Sequence, residues 1–284
     1  MPRAAERTLV SPAWVQDHLD APDVRILDAT WVMPASGRDP RAEYEAAHIP
    51  GAVFFDIDAV ARAGAPKPHT VPPPDVFASA CRALGLGSHH HIVVYDRHAG
   101  AMAAARAWWL FQLFGHAEVS VLDGGWDAWV AAGGVQDATP VVPRPRAFTA
   151  RLCHPWLADA DQVEKALGDG RRTVIDARSA GRFNSTEPEP WDSPRGGRMP
   201  GSVNVPFGDL MTGPHGAFSA PEALRETFAR AGVDLARPLI ASCGTGVTAC
   251  VIALGAWLAG ARDIAVYDGS WFEWSRDLSR PVIG

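Results

Sequence analysis

The 284-residue sequence is short of several things, and each shortage closes off a class of protein. Its four cysteines, Cys81, Cys153, Cys243 and Cys250, are scattered without a CxxC, which provides neither a disulfide framework nor a cysteine zinc site and suits a reducing compartment. No apolar run is long enough to span a bilayer, and the opening MPRAAERTLVSPAWV lacks the apolar core and small-residue cleavage site of a secretory signal. The expectation is a cytoplasmic protein with no membrane partner. Positive charge is not in excess either: 26 Lys and Arg against 32 Asp and Glu leave a net charge of -6, which argues against nucleic acid as a partner.

What is there is repetition. VRILDATW (24 to 31) matches RTVIDARS (172 to 179), HIPGAVFFD (48 to 56) matches RMPGSVNVPFGD (198 to 209), and LDGGWDAW (122 to 129) matches YDGSWFEW (267 to 274). The offset stays between 145 (Asp123 to Asp268) and 150 (Pro50 to Pro200), as expected of a duplicated unit with small insertions. In each copy, short β-rich runs alternate with helical stretches, which predicts an α/β fold of two parallel sheets flanked by helices. The proline-rich DATPVVPRPRAF predicts an extended linker. The boundaries expected are a first domain over 1–136, a linker over 137–150 and a second domain over 151–284. AMAAARAWWLFQLFG (101 to 115) and VTACVIALGAWLAG (247 to 260) are apolar almost all round, so both helices should be deeply buried.

Cys243 falls in the turn between the run Leu239 to Ser242, read as a strand, and the apolar stretch from Val247 to Gly260, read as a helix. An isolated cysteine reads as a small core residue, but ligands of α/β sheets gather at the carboxyl ends of strands, where this one stands. Only a thiolate attacks, and a thiol of pKa about 8.5 is mostly protonated at neutral pH. Gly244 and Gly246 leave room and conformational freedom for successive N–H groups to face the sulfur as an anion nest beside a helix N-terminus. Cys250, inside the helix, reads as core. At the matching loop the first copy carries Asp96, which is no nucleophile.

The segment Cys243-Gly244-Thr245-Gly246-Val247-Thr248, with the duplicated HIPGAVFFD/RMPGSVNVPF and DGGW/DGSW segments, resembles the two-domain rhodanese-type sulfurtransferases over nearly the whole chain. The small residues after the cysteine are similar to the 3-mercaptopyruvate branch, whereas the thiosulfate branch tends to carry basic residues there. The resemblance implies two tandem rhodanese-like domains, the first without a nucleophile. It implies a two-step reaction in which Cys243 takes sulfur from the donor as a persulfide, releases pyruvate, and passes the sulfur to cyanide or to a thiol acceptor such as thioredoxin or a low-molecular-weight thiol. No metal or organic cofactor is implied. Carried over residue by residue, Arg182 holds the carboxylate and keto groups of the donor, and Gly244, Gly246, Val247 and Thr248 form the binding loop. Asp58 and His69 join the Thr245 hydroxyl in a proton relay.

The chain departs from this pattern after Pro188-Glu189-Pro190, where the branch has a second substrate-binding arginine and this sequence has Trp191. The tryptophan could wall the pocket or pack within its loop, and Arg195 or Arg198 could reach the anion from a shifted backbone. Three other readings compete: a thiosulfate sulfurtransferase, a non-enzymatic rhodanese-like binding or redox module, and a cysteine phosphatase. The phosphatase is disfavoured because no arginine occurs in the loop from Gly244 to Cys250 to clamp a phosphate. Trp126, Trp129, Trp271 and Trp274 are expected to pack the helices after the DGG and DGS turns. His89, His90 and His91 should lead into a strand, whose alternation points neighbours to opposite faces and so cannot gather them on one metal.

Overall fold

The computed structural model describes residues 8–97 and 102–284. The start of the first domain and Ala101, the expected first residue of its buried helix, lie outside the described residues. The chain divides into two compact units. The first takes in the described residues of Met1–Arg62 and Pro72–Leu152 together with Gly213–Phe218; the second takes in Ala63–Val71, Cys153–Thr212 and Ser219–Gly284. Each unit thus includes a short segment from the other half of the sequence.

The first unit is built on β1 (Leu9–Val10), β2 (Val24–Asp28), β3 (Val53–Phe54), β4 (His91–Tyr95) and β5 (Val119–Leu122). They pair in the order β1-β5-β4-β2-β3, every pairing parallel. The second unit has β6 (Leu157–Ala158), β7 (Thr173–Asp176), β8 (Val203–Asn204), β9 (Leu239–Ser242) and β10 (Ile264–Tyr267), in the order β6-β10-β9-β7-β8, again all parallel. The two orders are the same permutation, so the sequence duplication is a duplication of topology. The α/β reading is correct: two parallel sheets flanked by helices.

The central strands β4 and β9 are buried at every residue, as expected of runs without polar alternation covered on both faces. Each feeds an apolar helix, Met102–Leu113 or Thr248–Ala259, that is buried over most of its surface. The second stops at Gly260, whose φ of 113° is open to glycine and closes the helix end. By contrast, the amphipathic helix Ala160–Asp169 turns Val163 and Ala166 inward and begins with a capping box of Asp159 and Gln162.

Trp129 packs into the first core, and Trp271 and Trp274 into the second, as expected of them, with Trp126 half-buried alongside. His91 opens β4 with Nε2 2.7 Å from Ser120 Oγ, while His90 Nδ1 accepts the Gly87 N–H at 2.9 Å. Residues 141–150 form no helix or strand, yet Phe148 inserts among Phe77, Phe111 and His116 of the first unit. Among the described residues no helix is long and apolar enough to cross a membrane.

Candidate active site

Cys243 leaves the carboxyl end of β9 and is 2% exposed. The Gly246 N–H donates to Cys243 Sγ at 3.1 Å, so the loop curls back on its own sulfur. Gly246 holds φ at +92°, a value that a side chain would strain. Gly244 is needed for a different reason: a Cβ there would meet Arg182 Nη2 at 2.6 Å. Val247 is buried at the helix start and Thr248 is the first helical residue. Cys250 donates its S–H to Gly246 O at 3.3 Å and is fully buried, consistent with a core residue.

The turn after β10 braces the cysteine from the other side. The Cys243 N–H donates to Ser270 Oγ at 3.1 Å, Ser270 Oγ donates to Tyr267 O at 2.8 Å, and the Trp271 and Phe272 N–H groups donate to the carbonyls of Cys243 and Gly244 at 2.9 Å. Ser270 is fully buried with φ at +51°, where an L-residue is strained. The first unit uses Gly125 at φ +56° in the corresponding turn, with the Trp126 N–H on the Asp96 carbonyl at 2.9 Å. There the Asp96 carboxylate itself accepts the Ala103 and Ala104 N–H groups, each at 2.8 Å. A fixed carboxylate thus takes up helix-start amides in the first unit, and the second presents a sulfur in its place.

Arg182 lies on the short helix Ala180–Phe183, beside Gly244 and about one-fifth exposed. Its Nε and Nη2 donate to Glu189 Oε2 at 3.1 and 2.5 Å, while Glu189 Oε1 accepts Arg178 Nη1 at 2.7 Å. Arg178 in turn donates to Asp176 and stacks over Trp271 at 4.4 Å. Burial opposes the Arg178 charge, but Asp176 and Glu189 outweigh it and raise its pKa. Glu189 therefore fixes the orientation of the Arg182 guanidinium beside Gly244.

His69 belongs to the segment Ala63–Val71, is 3% exposed and sits at φ +57°, with its ring edge-on to Trp191 at 6.4 Å. Trp191 thus walls His69. Neighbouring Lys67 is also buried: Nζ donates to Thr245 O at 2.9 Å and pairs with Asp268 Oδ2 at 3.4 Å, and the same oxygen accepts the Val71 N–H at 3.1 Å. Asp58 lies in the first unit, where Oδ2 accepts the Trp31 indole N–H at 2.9 Å.

Arg195 and Arg198, the two arginines that follow Trp191, are both engaged with other partners. Arg195 donates to the carbonyls of Trp274, Ser275, Asp277 and Arg280, because the end of a helix leaves acceptors that a guanidinium fork can satisfy. Arg198 lies over the Phe183 ring at 5.2 Å and reaches Asn184 Oδ1 at 3.4 Å. Sequence reasoning missed Lys67, Glu189, Asp268 and Ser270. Asp268 and Ser270 left a trace as the aspartate and serine of DGSW, which match the aspartate and second glycine of DGGW, and Glu189 as the middle of Pro188-Glu189-Pro190.

Two copies of a family model, described as the rhodanese-like domain, match residues 11–132 and 159–277. The chain belongs to the rhodanese-like family. It is 43% identical over 273 residues to human 3-mercaptopyruvate sulfurtransferase, covering 94% of this chain and 92% of that one. It is 42% identical over 277 residues to bovine thiosulfate sulfurtransferase, with the same coverage. Among solved structures, it is similar to SseA from Escherichia coli, described as a 3-mercaptopyruvate sulfotransferase, with a TM-score of 0.85, 35% identity and coverage of 93% and 99%.

Proposed function

We propose that this rhodanese-like protein is a sulfurtransferase that takes sulfur from 3-mercaptopyruvate onto Cys243. The observation that carries this reading is the Cys243 sulfur at the end of the central strand with the Gly246 N–H directed at it, in a loop bordered by Arg182. The Cys243 thiolate attacks the sulfur of the donor. An S–S bond forms, the donor C–S bond breaks, and its electron pair passes to carbon as the enolate of pyruvate, which takes up a proton. An acceptor thiolate then attacks the outer sulfur, leaving as its own persulfide and regenerating the Cys243 thiolate. Cyanide would leave as thiocyanate. The acceptor proposed is thioredoxin or a low-molecular-weight thiol in the cytoplasm, in keeping with four cysteines outside any disulfide.

In this reading Arg182 orients the donor carboxylate, sharing its guanidinium with Glu189. The amides of Gly244, Gly246, Val247 and Thr248 receive the charge that builds on sulfur. Asp58, His69 and the Thr245 hydroxyl are assigned to the proton of the donor thiol on the strength of the family resemblance. Thiosulfate is the second reading, favoured by the near-equal identity to the bovine thiosulfate enzyme. Against it, the loop positions next to Cys243 carry no basic side chain.

The deciding experiment compares pyruvate release from 3-mercaptopyruvate with sulfite release from thiosulfate, for the wild type and Cys243→Ser. The expected outcome is a strong mercaptopyruvate preference, with both activities and the persulfide lost in the variant. Equal or reversed preference transfers the protein to the thiosulfate branch. Activity surviving in Cys243→Ser ends the case for this cysteine. Arg182→Ala should raise KM for 3-mercaptopyruvate by about tenfold or more while the protein stays folded.

A further inference from the structure

Lys67 has no place in the reaction described above, yet it is a buried ammonium in direct contact with the cysteine loop. Its contacts with the Thr245 carbonyl at 2.9 Å, the Pro68 carbonyl at 3.0 Å and the Asp268 carboxylate at 3.4 Å leave it 7% exposed. The Thr245 carbonyl and the Gly246 N–H are the two ends of one peptide group, and that N–H donates to Cys243 Sγ at 3.1 Å. An ammonium on an amide oxygen draws electron density from the amide nitrogen, which makes its N–H a stronger donor; bonds in such a chain reinforce one another in a low-dielectric interior. We propose that Lys67 is a positioning residue for Cys243 that strengthens the hydrogen bond to its sulfur through this single peptide group, with the ammonium at its oxygen and the sulfur at its hydrogen.

Other charged and titratable groups lie around the loop. On the side of helix Ala180–Phe183, Glu189 lies between Arg182 and Arg178. On the side of the turn after β10, Asp268 faces Lys67, and Glu273 follows on the helix Ser270–Trp274. His69 flanks Lys67 on its own segment, and Cys250 contributes an S–H to the Gly246 carbonyl from helix Thr248–Ala259. Because Asp268 cancels much of the Lys67 field at a distance, the short directional contact with the Thr245 carbonyl is what conveys the charge to sulfur. Burial of the contact leaves it much less screened by salt than a surface pair.

This inference rests on Cys243 being the nucleophile, and its test uses no sulfur donor, so the donor question and this one fail separately. Alkylation of Cys243 by iodoacetamide is followed from pH 5 to 9 by peptide mass spectrometry on the full chain. Lys67→Met should move the midpoint up by about half a unit to one unit, which slows alkylation at pH 7 by roughly three- to tenfold. Lys67→Met alone leaves Asp268 as an uncompensated negative charge, so the double variant Lys67→Met/Asp268→Asn restores the neutrality of the pair and guards against misfolding. A midpoint still raised in the double variant supports the peptide relay. An unmoved midpoint in Lys67→Met, or a wild-type midpoint in the double variant, overturns it.

Discussion

Ser270 is an L-residue held in a left-handed conformation, at the spot where it accepts the backbone N–H of Cys243. Its strain and its hydrogen bonds can be separated by substitution. Ser270→Gly relieves about 1 kcal/mol of conformational cost while losing hydrogen bonds of about the same worth, so its melting temperature should stay near wild type. Ser270→Ala keeps the strain and loses the bonds, and should be less stable by about 1–2 kcal/mol in thermal or denaturant melts. Turnover should fall severalfold in both variants because Cys243 loses its tether, and full turnover in Ser270→Gly would contradict this account. Gly244→Ala tests the neighbouring contact. The new Cβ pushes the flexible end of Arg182 aside, so KM should rise as in Arg182→Ala with little change in melting temperature.

At the level of elements, the site is made where three local structures converge: the end of β9, the turn after β10 and the segment Ala63–Val71. The first was legible in the sequence, because a buried strand, a glycine-rich turn and an apolar helix are each encoded by contiguous residues, whereas the DGSW turn was legible only as a repeat that packs its tryptophans. The third was legible only as a proline-rich stretch containing His69. Its attachment through Lys67 and the Val71 N–H to Asp268 joins residues about 200 positions apart, a separation of 197 for Val71, and no local pattern encodes such a pairing. Elsewhere, the capping box at Asp159 bears on its own helix alone. Asp159→Ala should destabilise the protein by about 1 kcal/mol in a denaturant melt without altering sulfur transfer, since a lost cap exposes helix N–H groups at a position away from Cys243.

At the level of the whole molecule, the identical strand permutation in the two units means that their difference lies in the loops, with Asp96 and Gly125 in one against Cys243 and Ser270 in the other. Stability should carry a pH signature from the first unit. Burial lowers the His90 pKa from 6.5 to about 4, helped by the Arg25 charge. Between those values the unfolded chain binds a proton that the folded one refuses, so stability falls as the pH drops from about 6.5 toward 4 and this contribution flattens below. His90→Asn should make the pH dependence of the melting temperature shallower over that window, and an unchanged slope would remove His90 as its source.

The duplication, the two parallel sheets and the place of Cys243 between strand and helix were determined by the sequence alone, because periodicity, glycine placement and internal repetition are properties of neighbouring residues. Tertiary structure alone decided the rest. Arg195 is drawn to the carbonyls near the end of the chain, Glu189 shares its carboxylate between two arginines, and Lys67 meets the Thr245 carbonyl across 178 residues of sequence. The physical reason is that a long charged side chain goes to whichever unsatisfied partner the folded backbone brings within about 3 Å, and only the completed sheet and its loops determine which partner that is.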